Sequence, residues 1–226
     1  MRIELVGGLG VGKSTLCQAL EKVGFNCIYE NLSTNPFLAD CFVDPVNFRF
    51  PSQMWFVLSK FHEIKKFEKP GCVNVLDQGV LNVRAYTNML FRDEDPEALG
   101  VIDQCFDYLD GRLGRPDLYI NLQCSPEAQM KRIRGRNRDH EKGVTLDYVT
   151  SLQREMTDLV ERARADGDAV MDIDTEAVYF PGNTAYAETL ARHIAGMFDM
   201  SVEKVLGQKR PMDVDLPLYE DAIAAE

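Results

Sequence analysis

Positive charge is in short supply: 25 Lys and Arg stand against 36 Asp and Glu, a formal net charge of −11. Such a chain exerts no long-range pull on nucleic acid or on an anionic membrane. No apolar run approaches the ~20 residues that span a bilayer, and residues 1–6 enter a strand pattern without a basic, apolar leader. A cytoplasmic protein is the expectation. Paired C-x-x-C motifs and metal-ligand spacings are also missing. Cys17, Cys27, Cys41, Cys72, Cys105 and Cys124 are scattered, which predicts buried, reduced thiols. What is present is an ordinary globular composition, 45% apolar and 27% charged. Its 226 residues suffice for one buried core and are too few for two.

Periodicity then orders the chain. Residues 2–6 read as a short strand, and Leu16, Leu20 and Val23 place a helix over 13–23. A second strand over 25–29 ends at Glu30. Met54, Val57, Leu58, Phe61, Ile64 and Phe67 recur at helical steps from Pro51 until Pro70 and Gly71, with Gln53 in the first turn. The apolar run 73–76 followed by Asp77 is the pattern of a central parallel strand with a polar residue at its C-terminal end. Helices are expected over 80–91 and 96–113, then a strand over 118–122. Ser125-Pro126-Glu127 opens a helix that carries Arg132 and Arg134 into a polar loop, 135–143. A helix over 146–165, a strand over 169–173 and a helix over 184–198 follow. The alternation predicts an α/β domain over 1–207 with a five-stranded parallel sheet covered on both faces. Residues 208–226 read as an acidic tail without catalytic duty.

The most specific signal lies at 7–15, Gly-Gly-Leu-Gly-Val-Gly-Lys-Ser-Thr, between a strand and a helix. It fits the Walker A pattern, whose glycines let backbone N–H groups curl around phosphate while the helix N-terminus adds its positive dipole. Gly7, Gly8, Gly10, Val11, Gly12, Lys13, Ser14 and Thr15 are therefore expected to hold a nucleotide. Lys13 would reach the β- and γ-phosphates and Ser14 would bind Mg²⁺. The base-reading N-K-x-D segment of GTPases does not occur. Instead Lys131, Arg132, Arg134, Arg136 and Arg138 precede Glu141, a set that can close over a triphosphate where charge spreads during transfer.

Several short motifs in order give the chain its resemblance to a known family. They are the P-loop, Glu30, Asn35-Pro36-Phe37-Leu38, Asp44-Pro45 leading to Phe50-Pro51-Ser52-Gln53, and Asp77. Further along come Pro116-Asp117-Leu118-Tyr119-Ile120-Asn121-Leu122, then Arg136-x-Arg138-x-x-Glu141 with Tyr148 and Leu152. Over nearly all of 1–200 the chain resembles the deoxynucleoside kinases, including their bacterial deoxyadenosine and deoxyguanosine kinase-like members. The resemblance implies a P-loop NTPase fold with an arginine-rich lid at about 134–143, ATP as donor, a nucleoside acceptor and a homodimer. It implies Glu30 as general base, Gln53 on the Watson–Crick edge of the base, and Asp77 at the metal or the acceptor end. Arg132, Arg134, Arg136 and Arg138 would bind phosphate, and Glu141 would reach the sugar 3′-hydroxyl. Arg84 is a retained position beside the base, and Trp55, Phe56 and Tyr86 are candidates to stack on it.

Four departures from the family pattern stand out. Gln78 and Gly79 follow Asp77 where arginine, or tyrosine in the bacterial branch, is usual. Val83 replaces an aspartate, Phe42 a tyrosine that joins the lid glutamate on the sugar, and Asn31 a proline. Three of these changes lie around the acceptor and leave the donor side untouched. They leave two other readings open: a P-loop kinase for a modified nucleoside or a hydroxymethylpyrimidine in DNA, and a non-catalytic nucleotide-binding subunit. The acidic balance weighs against a polymeric acceptor, which needs several Lys or Arg contacts to phosphate.

Overall fold

The computed structural model describes residues 1–206 apart from 139, 140, 142 and 179. The tail placed at 208–226 lies outside the described residues. Strand β1 (Arg2–Val6) is buried along its whole length. Its side chains alternate: Ile3 and Leu5 join the core formed with Leu16, Leu20, Ala187 and Leu190, whereas Val6 packs with Leu81, Ala85, Leu152 and Met156. A strand with a core on each face is the central strand of a covered parallel sheet.

The remaining elements follow in chain order. They are α1 (Lys13–Glu21), β2 (Asn26–Ile28), a 3-10 turn (Leu32–Thr34), α2 (Leu38–Val43), α3 (Pro45–Phe67), β3 (Asn74–Leu76), α4 (Val80–Phe91) and α5 (Pro96–Leu113). After these come β4 (Leu118–Gln123), α6 (Pro126–Arg136), α7 (Leu146–Ala165), β5 (Val170–Asp174), α8 (Thr184–Met197) and α9 (Val202–Leu206). The strands form one parallel sheet in the order β2-β3-β1-β4-β5, with Ile3 opposite Val75 on one side and Leu118 on the other. The chain runs out to β2, returns through β3, and crosses β1 to β4. Open α/β sheets of this kind bind ligands outside the strand C-termini where the order reverses. Here the segments leaving β1, β3 and β2 are neighbours, and they carry the P-loop, Asp77 and Glu30.

The structure corrects three sequence readings. Helix α3 begins at Pro45, not at Pro51, because Asp44 caps it by accepting from Asn47 N at 3.3 Å and Pro45 takes the first helical position. Pro51 sits inside the helix, and Gln53 lies more than two turns from its start. Arg136 belongs to the last turn of α6, which ends at Asn137 in a left-handed conformation (φ 46°), so part of the anticipated lid loop is helical. Finally, α2, α9 and the 3-10 turn are additions that the periodicity did not announce.

Candidate active site

The P-loop leaves β1 under tight steric demands. Gly7 has φ +145°, and a Cβ there would lie 2.7 Å from the Leu122 carbonyl oxygen and 2.8 Å from Val11 Cγ2. Gly12 opens α1 from φ +106°. Both require glycine for backbone reasons. Asn82, fully buried on α4, accepts from Gly7 N at 3.1 Å and donates to Leu5 O at 2.8 Å. It holds the loop's first glycine in place, a role invisible in the sequence because Asn82 is remote and carries no motif. Lys13 Nζ donates to Gly7 O at 2.7 Å and Gly8 O at 2.9 Å. Burial pushes its ammonium pKa down, against the opposing pull of Asp77 and Glu30.

Ser14 Oγ donates to Asp77 Oδ2 at 2.8 Å. The second carboxylate oxygen, Asp77 Oδ1, is buried and has no partner among the described residues. A hydroxyl beside one half-used carboxylate is an oxygen donor set that suits Mg²⁺, which takes one or two protein oxygens and fills its octahedron with water and phosphate. Among the described residues no cluster of three or more His, Cys, Asp or Glu forms a cage for any other metal. The residues present therefore fit Mg²⁺.

One cavity of ≈ 1510 Å³ runs from the P-loop to Gln53 and Phe56 on α3. Glu30 lines it, and Gln78 Nε2 donates to Glu30 Oε1 at 3.0 Å. Burial raises the Glu30 pKa above the ordinary glutamate value, Lys60 and Lys13 pull it back, and Glu63 and Asp77 add to the rise. A carboxyl with raised affinity for a proton, beside a P-loop, is equipped to take one from an alcohol. Tyr86 and Tyr148 line the same cavity, where burial raises both phenols, that of Tyr148 to about 12.

The arginines divide. Arg132 donates from Nη1 to Thr175 Oγ1 at 2.8 Å and to Gly10 O at 3.3 Å, and from Nη2 to Thr175 O at 2.7 Å. It thereby ties the P-loop to the segment after β5, where Phe180 packs beside Gly12. Arg136 grips Glu141 with two donors, Nε at 2.6 Å from Oε2 and Nη2 on Oε1, while Arg138 Nη1 stands 3.9 Å from Glu141 Oε1. All of these line the cavity.

Of the side chains expected at the site, Trp55, Lys131, Arg134 and Arg84 do not line the cavity; Trp55 meets Phe56 edge to face at 5.4 Å. Arg134 lies on another face of α6, beside Glu127, Met130, Lys131 and Leu146. Arg84 lays its guanidinium 4.4 Å from the centre of the Phe106 ring and pairs with Asp107 at 3.0 Å and Asp110 at 2.8 Å. The acidic face of α5 holds it away from the cavity, a competition that sequence adjacency to Val83 does not reveal.

Gln53 is buried and lines the cavity, but its amide is half committed. Nε2 donates to Val83 O at 3.2 Å and to Thr87 Oγ1 at 2.7 Å, and Thr87 donates onward to Val83 O at 2.9 Å. Only Oε1 is left for a ligand, so the anticipated donor-and-acceptor amide becomes an acceptor. Phe42, on α2, lines the cavity with 65% of its surface exposed. Arg49 and Ser52 on α3, Gln78 and Tyr148 line the same cavity.

Comparison with known proteins agrees with this geometry. The family model described as deoxynucleoside kinase matches residues 3–198. A deoxyadenosine kinase from Dictyostelium discoideum is 32% identical over 153 residues, 66% of this chain and 62% of that protein. A deoxyguanosine kinase from Bacillus subtilis (strain 168) is 26% identical over 202 residues, 85% of this chain and 95% of that protein. Among solved structures, a deoxyadenosine kinase from M. mycoides with dCMP and dCDP bound superposes with a TM-score of 0.71 at 19% identity, covering 87% of this chain and all of that one. A P-loop on β1, a carboxylate after β2, an Asp–Ser pair at the mouth of α1 and a family match across most of the described chain lead to one placement: the chain belongs to the deoxynucleoside kinase family.

Proposed function

We propose that this chain transfers the γ-phosphoryl group of MgATP to the 5′-hydroxyl of a deoxyribonucleoside, giving the monophosphate. The observation that carries this reading is the placement of Glu30, Lys13, and the Ser14–Asp77 pair around one cavity that continues to a base end. The P-loop amides from Gly7 to Thr15 and the Lys13 ammonium hold the donor's phosphates, and Arg132 steadies the loop from α6. Ser14 and Asp77 would hold Mg²⁺, which when bound neutralises charge on the β- and γ-phosphate oxygens.

Glu30 accepts the proton of the acceptor hydroxyl as its oxygen bonds to the γ-phosphorus. The bond from that phosphorus to the β,γ-bridging oxygen breaks, and ADP leaves with the electron pair. Arg136 and Arg138 place positive charge over the γ-oxygens, and Glu141 reaches the sugar. Gln53 offers Oε1 to an N–H on the Watson–Crick edge, with Phe42, Tyr86, Phe56 and Val83 shaping the apolar wall. A homodimer of one kinase domain over 1–207, working in the cytoplasm on free nucleosides and carrying the acidic tail at 208–226, completes the proposal. No helix among the described residues is long and apolar enough to cross a membrane.

The test is transfer from γ-labelled ATP to a panel of deoxynucleosides, deoxynucleoside monophosphates and hydroxymethyluracil DNA. Label in one or more deoxynucleosides, and none in the DNA, is expected. Label confined to the monophosphates or the DNA would replace this reading, and ATP binding without any transfer would make the chain a binding subunit.

A further inference from the structure

The turn 77–79 at the end of β3 sends three consecutive residues to three different partners. Asp77 meets Ser14 at the P-loop, Gln78 meets Glu30 beyond β2, and Gly79 packs on Glu4 of β1. The turn is pinned from below. Glu4 is buried and accepts from Val80 N at 2.8 Å, so it caps α4 in place of a side chain from Gly79. A Cβ at position 79 would clash with the Glu4 carboxylate and lie 2.7 Å from Glu4 Cβ, so only glycine lets α4 start this close to β1. The backbone at 78 is thereby held, and its side chain projects into the cavity beside Glu30.

We infer that Gln78 is a positioning residue, which pins one oxygen of the Glu30 carboxylate through its amide N–H and turns the other toward the acceptor hydroxyl. The inference rests on the reading of Glu30 as the general base. Among the described residues Gln78 is the one hydrogen-bond donor on that carboxylate. A glutamate has three rotatable side-chain bonds, and a general base works only when a lone pair is aligned with the proton it removes. The other groups facing Glu30 are Lys60 and Glu63 from α3, Lys13 from α1, Asp77 at the end of β3 and Tyr86 from α4. Lys60 and Glu63 are spent on each other at 2.7 Å, and Lys13 is held by P-loop carbonyls. A neutral amide orients the carboxylate and lowers its proton affinity less than a charged guanidinium at position 78 would.

Two variants test this: Gln78→Met, which keeps the length and removes the donor, and Gln78→Arg, which restores a donor and adds charge. With the wild type's preferred deoxynucleoside, Gln78→Met is expected to lower kcat about 10- to 100-fold with the KM for MgATP unchanged. The acid limb of its pH profile should move to higher pH, because a hydrogen bond to the charged carboxylate is lost. Gln78→Arg should recover most of the turnover and move that limb to lower pH. Wild-type kcat and an unmoved limb in Gln78→Met, or a loss confined to the KM for MgATP or to melting temperature, would overturn the inference.

A readout without turnover separates this inference from the proposed activity. In protein labelled with ¹³C-carboxyl glutamate, the Glu30 titration midpoint should rise in Gln78→Met and fall in Gln78→Arg. Equal midpoints would sink the inference even if the kinase is active. A wild type that phosphorylates no deoxynucleoside would sink the activity and leave the titration to decide the role of Gln78.

Discussion

At the scale of single residues the site works by placing a carboxylate where it prefers to be neutral. Burial raises the Glu30 pKa above its ordinary 4.5, so keeping it ionised at neutral pH opposes folding. The stability associated with the protonated form is fully present below the unfolded-state pKa and is lost as pH rises through the folded-state value. Glu30→Gln is therefore expected to lose about 10²- to 10⁴-fold in turnover while melting at a higher temperature than wild type at pH 7. The two melting temperatures should converge as pH falls below 4.5, the ordinary value. An equal gap at pH 4 and pH 7 would contradict the assignment of strain to this carboxyl. Glu30, Lys13, Ser14 and Asp77 were legible because each stands at a strand end or in a phosphate-binding spacing. Gln53 was legible in place but not in chemistry, since its partners Val83 and Thr87 lie on another helix.

At the scale of elements, helix ends with side-chain caps were read closely. Asp95 accepts from Ala98 N ahead of Pro96 and Thr145 from Tyr148 N, and α5 and α7 begin and end where periodicity put them, while Ser125 accepts from Ala128 N ahead of Pro126 and fixes the start of α6. Helix α3 was misread because Pro51 looks like a start, yet Asp44 and Pro45 cap the helix six residues earlier. The helix pair α4 and α5 offers a test of the corrected role of Arg84. Arg84→Ala should lower stability by about 1 kcal/mol in urea unfolding, from the lost ring contact and ion pairs on a partly exposed surface. The KM for the nucleoside should stay within error of wild type. A rise of tenfold or more would return Arg84 to the acceptor site.

At the scale of the whole molecule, the sheet order brings the site together. Residues 14, 30 and 77 are far apart in sequence and meet because β2, β3 and β1 are adjacent and parallel, which points their C-terminal ends the same way. Removal of divalent cations with EDTA is expected to abolish transfer, and added Mg²⁺ to restore it, because the neutral Ser14 hydroxyl and the anionic Asp77 carboxylate cannot by themselves offset the negative charge of a triphosphate. Full activity in excess EDTA would refute that use of the pair.

The order of strands and helices along the chain and the P-loop were determined by the sequence itself, since they depend on local spacing, glycine conformations and caps. What only the tertiary structure decided is which side chains share the cavity. Arg84 and Arg134 left it for acidic or surface partners, Gln78 entered it, Asn82 took hold of the P-loop from the interior, and half of the Gln53 amide was consumed inside the protein. The physical reason is that a polar side chain takes the hydrogen bonds and charges nearest to it in space, and those neighbours come from strands and helices brought together by packing.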